Sequence, residues 1–416
     1  MGLKFKRTLD ITNPLKQASC FFFGARGTGK SFLIRESFDN KAFIINLLRA
    51  QIFLRLSENP SLIESMIRES NKKIVVIDEV QKLPILLDEV HRLIEEEGLR
   101  FLLTGSSARK LKRGHANLLA GRARIEHLYP LTTQELPEFN LNHYLLWGGL
   151  PEVQKVTDKR DFLNSYIEMY IQEEILAEQI ARSLPHFSRF LKTSALCSGE
   201  LINFSNVAND AQLSSSTVKN YFEILQDTMV GYILEPWVES HKRKAIQTAK
   251  FYFFDVGVRN RILNVNEVVP ATEFFGNCFE HFIFMELKAW HAYSKQDTPI
   301  YFWRSVNHHE VDFIIANEIA IEVKSKTKTS THDAKNLFAL REEGAHKKYF
   351  VISQDPINRT ENGITYLFWK DFLDKLWQKC QPPMIVALSL IFLSLGGERT
   401  QGEGDSFSKT FIVGQP

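Results

Sequence analysis

The sequence predicts an α/β chain in three parts: a parallel-sheet domain, an almost wholly helical segment, and a second α/β domain. Three observations predict it. Short apolar runs alternate with amphipathic stretches through the first part, the βα rhythm of a parallel sheet. From about Leu141 to Glu239 the pattern is helical, and from Phe251 onward strand-like runs return. A chain of 416 residues also exceeds one ordinary domain. The expected boundaries are 1–140, 141–240 and 241–377, with a tail over 378–416.

In the first part the expected strands are Cys20–Phe23, Phe43–Leu47, Ile74–Ile77 and Arg100–Leu103. The last three lack alternation and should be buried on both faces. Between them, Leu83–Glu97 sets Leu83, Leu87, Val90 and Leu93 on one helical stripe. The third part offers Phe251–Phe254, Ile300–Trp303, Val311–Ile315, Ile319–Val323 and Tyr349–Ile352 as strands. Met384–Leu395 is an apolar run of 12 residues, short of a membrane span, and reads as a packed or frayed helix. Gly396–Ser408 reads as a disordered tail.

Composition excludes several classes. Hydrophobic residues make up 44% and charged residues 24%, as in a soluble globular protein with no membrane role. With 51 basic and 49 acidic residues the net charge is +2, so any nucleic-acid contact needs a local patch. Cys20, Cys197, Cys278 and Cys380 form no CxxC pair or Cys/His cluster. That excludes a structural zinc or a disulfide framework and fits a reducing cytoplasm. The start, Met1-Gly2-Leu3-Lys4-Phe5-Lys6-Arg7, has no apolar core behind it, so no signal peptide is expected.

Directly after the first strand comes Gly24-Ala25-Arg26-Gly27-Thr28-Gly29-Lys30-Ser31, which fits GxxxxGK[ST] at every fixed position. Glycines let the backbone turn tightly so that successive N–H groups face phosphate oxygens, and the following helix adds its positive end. Lys30 can reach the β- and γ-phosphates of ATP, and the Ser31 hydroxyl can ligate Mg²⁺. Ile74–Ile77 ends in Asp78-Glu79: Asp78 is expected in the Mg²⁺ shell and Glu79 beside the attacking water as general base. The next strand ends in Thr104-Gly105-Ser106-Ser107, and Ser106 is the chosen sensor of the γ-phosphate, although a Gly-Ser turn is also ordinary loop chemistry. Arg122 and Arg124 follow an apolar stretch. Either one can be an arginine finger supplied by a neighbouring subunit, or both are surface charges.

Gly24–Ser31, Ile77–Lys82, Leu103–Ser107 and Gly121-Arg122, followed by Tyr129-Pro130-Leu131, together resemble a prokaryotic AAA-type ATPase family. Its members join the ATPase to a winged-helix segment and a C-terminal PD-(D/E)xK nuclease-like domain of unknown function. The likeness covers roughly residues 4 to 376, through Trp147–Glu152 and Tyr252–Gly257. The resemblance implies an AAA-type P-loop NTPase parallel-sheet domain, a helical winged-helix segment and a restriction-endonuclease-like α/β domain. It also implies ATP hydrolysis and homo-oligomers. The segment after about Gln378 has no counterpart in it.

Phe204–Leu225 has the form of a helix-turn-helix, with Val207 and Ala208 inward from the first helix and Leu213 in the turn. Val218, Tyr221, Phe222 and Leu225 form the stripe of the second helix. Ser214–Thr217 supplies an N-cap and hydroxyls that can reach phosphates. Lys219 is the only basic residue on that helix, so DNA contact and a packing or lid role both stay open. His241-Lys242-Arg243-Lys244 either adds the missing charge or is a solvated loop.

In the third part, alternation sets Val311, Phe313 and Ile315 on one face and Asp312 on the other, while Glu322 and Lys324 stand opposite Ile319, Ile321 and Val323. That is the Asp…Glu-x-Lys arrangement of the PD-(D/E)xK nucleases. Asp312 and Glu322 would bind Mg²⁺ or Mn²⁺, Lys324 would orient or help deprotonate the water, and Glu280 fits a third acidic position. Charged residues alternating on a strand are also a common solvated face, so cleavage and binding without cleavage both remain open.

Overall fold

The computed structural model describes residues 3–105, 123–170, 184–240, 242–295 and 298–378. The first sheet is built from β1 (Ser19–Phe23), β2 (Phe43–Asn46), β3 (Ile74–Asp78), β4 (Arg100–Gly105) and β5 (Ala123–His127). Their order is β2-β3-β4-β1-β5 and every pairing is parallel. All five β1 residues are buried, and the pleat sends Cys20 and Phe22 into one core and Phe21 and Phe23 into another. The second core is closed by the helices Ala50–Glu58, Leu62–Ser70 and Leu86–Glu97.

Two expectations for this sheet need correction. β2 is an edge strand with Ile44 38% exposed, so it is not buried on both faces. β5 was not expected at all, because Ala-Arg-Ile-Glu-His carries the charges that edge strands tolerate and lacks an apolar run. On β5, Arg124 is exposed and pairs with Cys20, whereas His127 pairs with Phe23. Arg124 therefore sits about 10 Å below the strand ends that face the P-loop.

The middle segment carries the helices Leu141–Trp147, Lys159–Tyr170, Leu184–Leu196, Phe204–Ala211 and Ser215–Asp227. Between the last two, Gln212 turns at φ +55° and Ser214 caps the second helix by accepting the Thr217 amide at 3.1 Å. Val207, Ala208, Val218, Tyr221, Phe222 and Leu225 are buried in one shared cluster. The segment is not wholly helical, however. Gly231–Pro236 forms β6, pairing antiparallel with β7 (Lys250–Phe253) and parallel with β8 (Ile300–Arg304). Tyr232-Ile233-Leu234 is too short an apolar run for periodicity to separate strand from helix, and the partner strands decide it.

The second sheet adds β9 (Glu310–Ile315), β10 (Ile319–Lys324), β11 (Lys348–Ser353), β12 (Arg359–Glu361) and β13 (Ile364–Phe368), in the order β12-β13-β11-β10-β9-β8-β6-β7. The long helix Glu273–Tyr293 packs on one face with Phe313, Ile321 and Val323, and Lys335–Arg341 on the other with Ile314 and Ala320. Val311 joins Ile314 rather than Phe313 and Ile315. The cause is a β-bulge. Tyr301 pairs with Ile314 but Trp303 with Val311, so Asp312 and Phe313 together face Phe302 and the alternation slips by one.

The three parts interlock. One core runs from Cys20 and Phe22 through Tyr129 to Phe282 and Phe313, joining both sheets. Buried Asp255 accepts the Gly149 amide at 2.7 Å and the Val258 amide at 2.9 Å, tying the Gly-Gly turn to the start of another helix. Buried Glu286 accepts the Thr133 amide at 2.7 Å and the Trp377 indole N–H at 2.7 Å. Among the described residues, no helix is long and apolar enough to cross a membrane.

Candidate functional site

The first candidate site lies at the carboxyl ends of β1 and β3. Gly24–Gly29 links β1 to the helix Lys30–Phe38, and Gly27 and Gly29 hold φ of +79° and +96°, a turn that only glycine makes without strain. The loop curls around its own lysine: the Lys30 ammonium, 7% exposed, donates to the carbonyls of Gly24 at 2.7 Å and Ala25 at 3.2 Å. The Thr28 hydroxyl donates to the Ala25 carbonyl at 2.8 Å, and the Arg26 carbonyl accepts the Tyr166 hydroxyl at 2.9 Å.

Asp78 closes the site from β3. Its carboxylate accepts the Ser31 hydroxyl at 3.3 Å and, on its other oxygen, the Thr104 hydroxyl. Hydroxyl and carboxylate thus stand within reach of one ion, which fits Mg²⁺ arriving with ATP. Glu79 has a left-handed backbone, φ +62°, uncommon for a residue with a side chain and often found where function holds the strain. The Gln81 amide donates to its carboxylate. Ser106 and Arg122 lie outside the described residues, and the hydroxyl described at that edge is Thr104 on β4.

Sequence reasoning missed Arg7, which lies in no motif. Its buried guanidinium donates to the Thr28 carbonyl and to the Tyr129 carbonyl, each at 2.6 Å. It also pairs with Glu135 at 3.0 Å and donates to the Tyr293 hydroxyl at 3.3 Å. The P-loop is therefore braced against the end of the helix that carries Glu280.

The second candidate site is an acidic cluster on the bulged sheet. β9 and β10 pair from Ile315–Ile319 to Phe313–Ile321 and then part, and the Asp312 carboxylate accepts the Val323 amide at 2.7 Å. Glu322 Oε1 accepts from Lys324 at 2.6 Å and from Asn336 at 3.3 Å, while Oε2 is buried with no hydrogen-bond partner. Burial raises the pKa of both carboxylates, and the charges of Glu280 and Glu322 raise that of Asp312 further. Burial alone would lower the Lys324 pKa, but Glu322 and Asp312 outweigh it and hold the ammonium charged.

Glu280 does not join them as a third ligand. It accepts the Tyr252 hydroxyl at 2.6 Å and pairs with the Lys250 ammonium at 3.3 Å. Among the described residues, no three His, Cys, Asp or Glu side chains are arranged to hold a metal ion. Glu280, Asp312 and Glu322 are therefore not arranged as the expected three-carboxylate metal site, and Glu280 Oε1 is engaged by Tyr252 and Lys250. The orphaned Glu322 oxygen beside Asp312 fits a divalent cation. Lys250 and Tyr252 come to the cluster from β7, Glu310 from β9 and Asn336 from the helix Lys335–Arg341, so local spacing marks none of them as a member.

Comparison with known proteins covers the chain in three pieces. Residues 16–137 match an AAA domain, residues 138–268 a domain of unknown function (DUF8612), and residues 275–372 another (DUF4143). An uncharacterized protein of Mycobacterium tuberculosis, Rv2008c, is 24% identical over 58% of this chain and 56% of its own. The chain thus spans a little over half the length of that mycobacterial relative. The uncharacterized MJ1544 of Methanocaldococcus jannaschii is 23% identical over 74% of this chain and 73% of its own. A structure of the replication initiator DnaA bound to AMPPCP and single-stranded DNA overlaps 51% of this chain and 85% of its own, with a TM-score of 0.28 and 11% identity. Residues 16–137 are thus similar to an AAA domain, and they form an α/β parallel-sheet unit resembling a P-loop NTPase.

Proposed function

We propose that the chain is a Mg²⁺-dependent ATPase whose nucleotide cycle acts on a nuclease-like, DNA-related C-terminal unit. The observation that carries this is the meeting of Lys30, Ser31, Asp78 and Glu79 at one edge of the first sheet. Lys30 leaves its loop carbonyls for the β- and γ-phosphates, and Glu79 orients the attacking water and takes its proton. Ser31 and Asp78 would hold Mg²⁺, which neutralises phosphate charge. Ser106 senses the γ-phosphate, and Arg122 acts in trans within a homo-oligomer.

For the C-terminal unit, the raised pKa of Lys324 supports a charge that orients the water and stabilises the transition state, rather than a base. Asp312 and Glu322 would hold Mg²⁺ or Mn²⁺, which supplies Lewis acidity toward a phosphodiester. The helix-turn-helix supports DNA contact through the Ser214–Thr217 hydroxyls, although Lys219 lies over the Phe204 ring at 5.5 Å. A second reading, a nucleotide-switched interaction protein with an inert nuclease fold, is favoured by the capture of Glu280 by Lys250. Full-length protein with ATP, Mg²⁺ or Mn²⁺, and single-stranded, double-stranded and branched DNA and RNA separates the readings. Hydrolysis that Lys30→Ala abolishes, together with cleavage, supports the first. Hydrolysis without cleavage on any substrate selects the second, no hydrolysis rejects the first, and no nucleotide binding rejects both.

A further inference from the structure

Lys250 is a fully buried cation beside the acidic cluster. It starts β7, is 1% exposed, and directs its ammonium between Glu280 at 3.3 Å and Glu310 at 2.5 Å, with the Phe302 ring centroid 5.4 Å away. A buried ammonium without partners would lose its proton. Here burial is outweighed by the charges of Glu280, Tyr252, Glu310 and Asp312, so Lys250 stays protonated. Glu310 is further held by Arg304 at 3.0 Å.

The cluster therefore has two unlike halves. In one, Glu280 and Glu310 are neutralised by protein cations and by the Tyr252 hydroxyl. In the other, Lys324 engages only Oε1 of Glu322, at 2.6 Å, the charge of Glu322 disfavours a second charge on Asp312, and Glu322, itself 1% exposed, leaves Oε2 with no partner. A buried carboxylate oxygen without a donor is costly, because it has given up water and gained nothing in exchange.

We propose that Lys250 is the resident cation of this site: the Glu280–Glu310 half takes no metal, and one divalent cation is held by Asp312 and Glu322. This rests on the nuclease-like reading of the C-terminal unit and narrows it to a single metal with an ammonium beside it. The lysine is then a positioning residue. It fixes Glu280 and sets how many cations the cluster accepts.

The test is Mn²⁺ binding by full-length protein without nucleotide, in a Ser31→Ala background, read by electron paramagnetic resonance of free Mn²⁺ and by thermal unfolding. One Mn²⁺ per chain is expected, lost in Glu322→Gln and kept in Glu280→Gln. Lys250→Met should lower the unfolding temperature in metal-free buffer, raise the stoichiometry to two, and recover stability on adding Mn²⁺. Lys250→Arg keeps the charge and should bind one. A single Mn²⁺ in folded Lys250→Met, or loss of binding in Glu280→Gln, overturns the role of Lys250 while the metal site stands. If Lys250→Met does not fold, the Glu280→Gln result decides alone. No Mn²⁺ in the parent and none in Lys250→Met overturns the nuclease-like reading beneath it.

Discussion

The two candidate sites solve opposite electrostatic problems. The P-loop offers backbone amides, a helix N-terminus and one lysine, arranged for an anion that the chain does not carry. The acidic cluster gathers carboxylates away from water and balances most of them internally, through Lys250, Arg304 and Lys324. Two short contiguous runs, Gly24–Ser31 and Asp78-Glu79, build the first, whereas residues from β7, β9, β10 and the helix Glu273–Tyr293 build the second. A site made of neighbours announces itself in the sequence; a site made by tertiary approach shows only some of its members.

Substitutions sharpen the contrast, because the first site should respond in rate and the second in stability. The largest effect is expected from Arg122→Ala: if it is a finger in trans, turnover falls on the order of 10³–10⁵-fold. Mixing Arg122→Ala with Glu79→Gln subunits should then restore part of the activity. A monomeric mass with ATP bound, and a rate independent of protein concentration, would remove that role. Glu79→Gln should reduce turnover by about 10²–10⁴-fold while nucleotide binding is kept, since Lys30, Ser31 and Asp78 are untouched. Equal kcat in this variant would exclude Glu79 as the base.

Asp312→Asn probes the other side of the comparison. Removing a buried carboxylate whose charged form is disfavoured should stabilise the fold, by on the order of 1 kcal/mol, while abolishing any cleavage. Denaturant unfolding checks the direction, and a loss of stability would mean that Asp312 is balanced as well as Glu280 is.

The smallest effect concerns pH at the joints between the parts. Burial pushes Glu286 up to about 7 and Asp255 up to about 6. Both folded pKa values exceed the unfolded ones, so the folded state binds more protons in this window. Their contribution is complete below about pH 4 and is lost as pH rises toward 7. Glu286→Gln should make the fall in stability between about pH 4.5 and 7 shallower. A slope identical to the parent's would show that Glu286 does not titrate there.

How much the residues reveal by themselves follows the same division. Gly24–Ser31 and Asp78-Glu79 are contiguous, and their spacing reflects a local backbone requirement, so both are visible without a structure. Asp312, Glu322 and Lys324 are visible through strand alternation, but the bulge at Asp312-Phe313 that turns Val311 to the other face is not. β6 is hidden because three apolar residues carry no period, and β5 because its edge position permits Arg124 and Glu126. Lys250 is hidden for a different reason: a lysine opening a short strand reads as solvated until Glu280 and Glu310 are brought to it.

The helix Glu273–Tyr293 bears on how this chain can be inherited. Tyr293 meets Arg7 and the Tyr129 amide, Glu286 meets Thr133 and Trp377, and Glu280 meets Lys250. The contacts to Arg7, Tyr129 and Thr133 cross boundaries at which the chain looks divisible, and β6 lies before the break at 240 yet hydrogen-bonds within the last sheet. A recombination event that exchanged only the N-terminal unit would leave Tyr293 and Glu286 facing surfaces shaped for other residues. Separate expression of a fragment starting at 241 would strip one strand from its sheet. The nucleotide end and the acidic end are thus joined through one helix, and an exchange of either unit alone leaves its buried polar contacts unmatched.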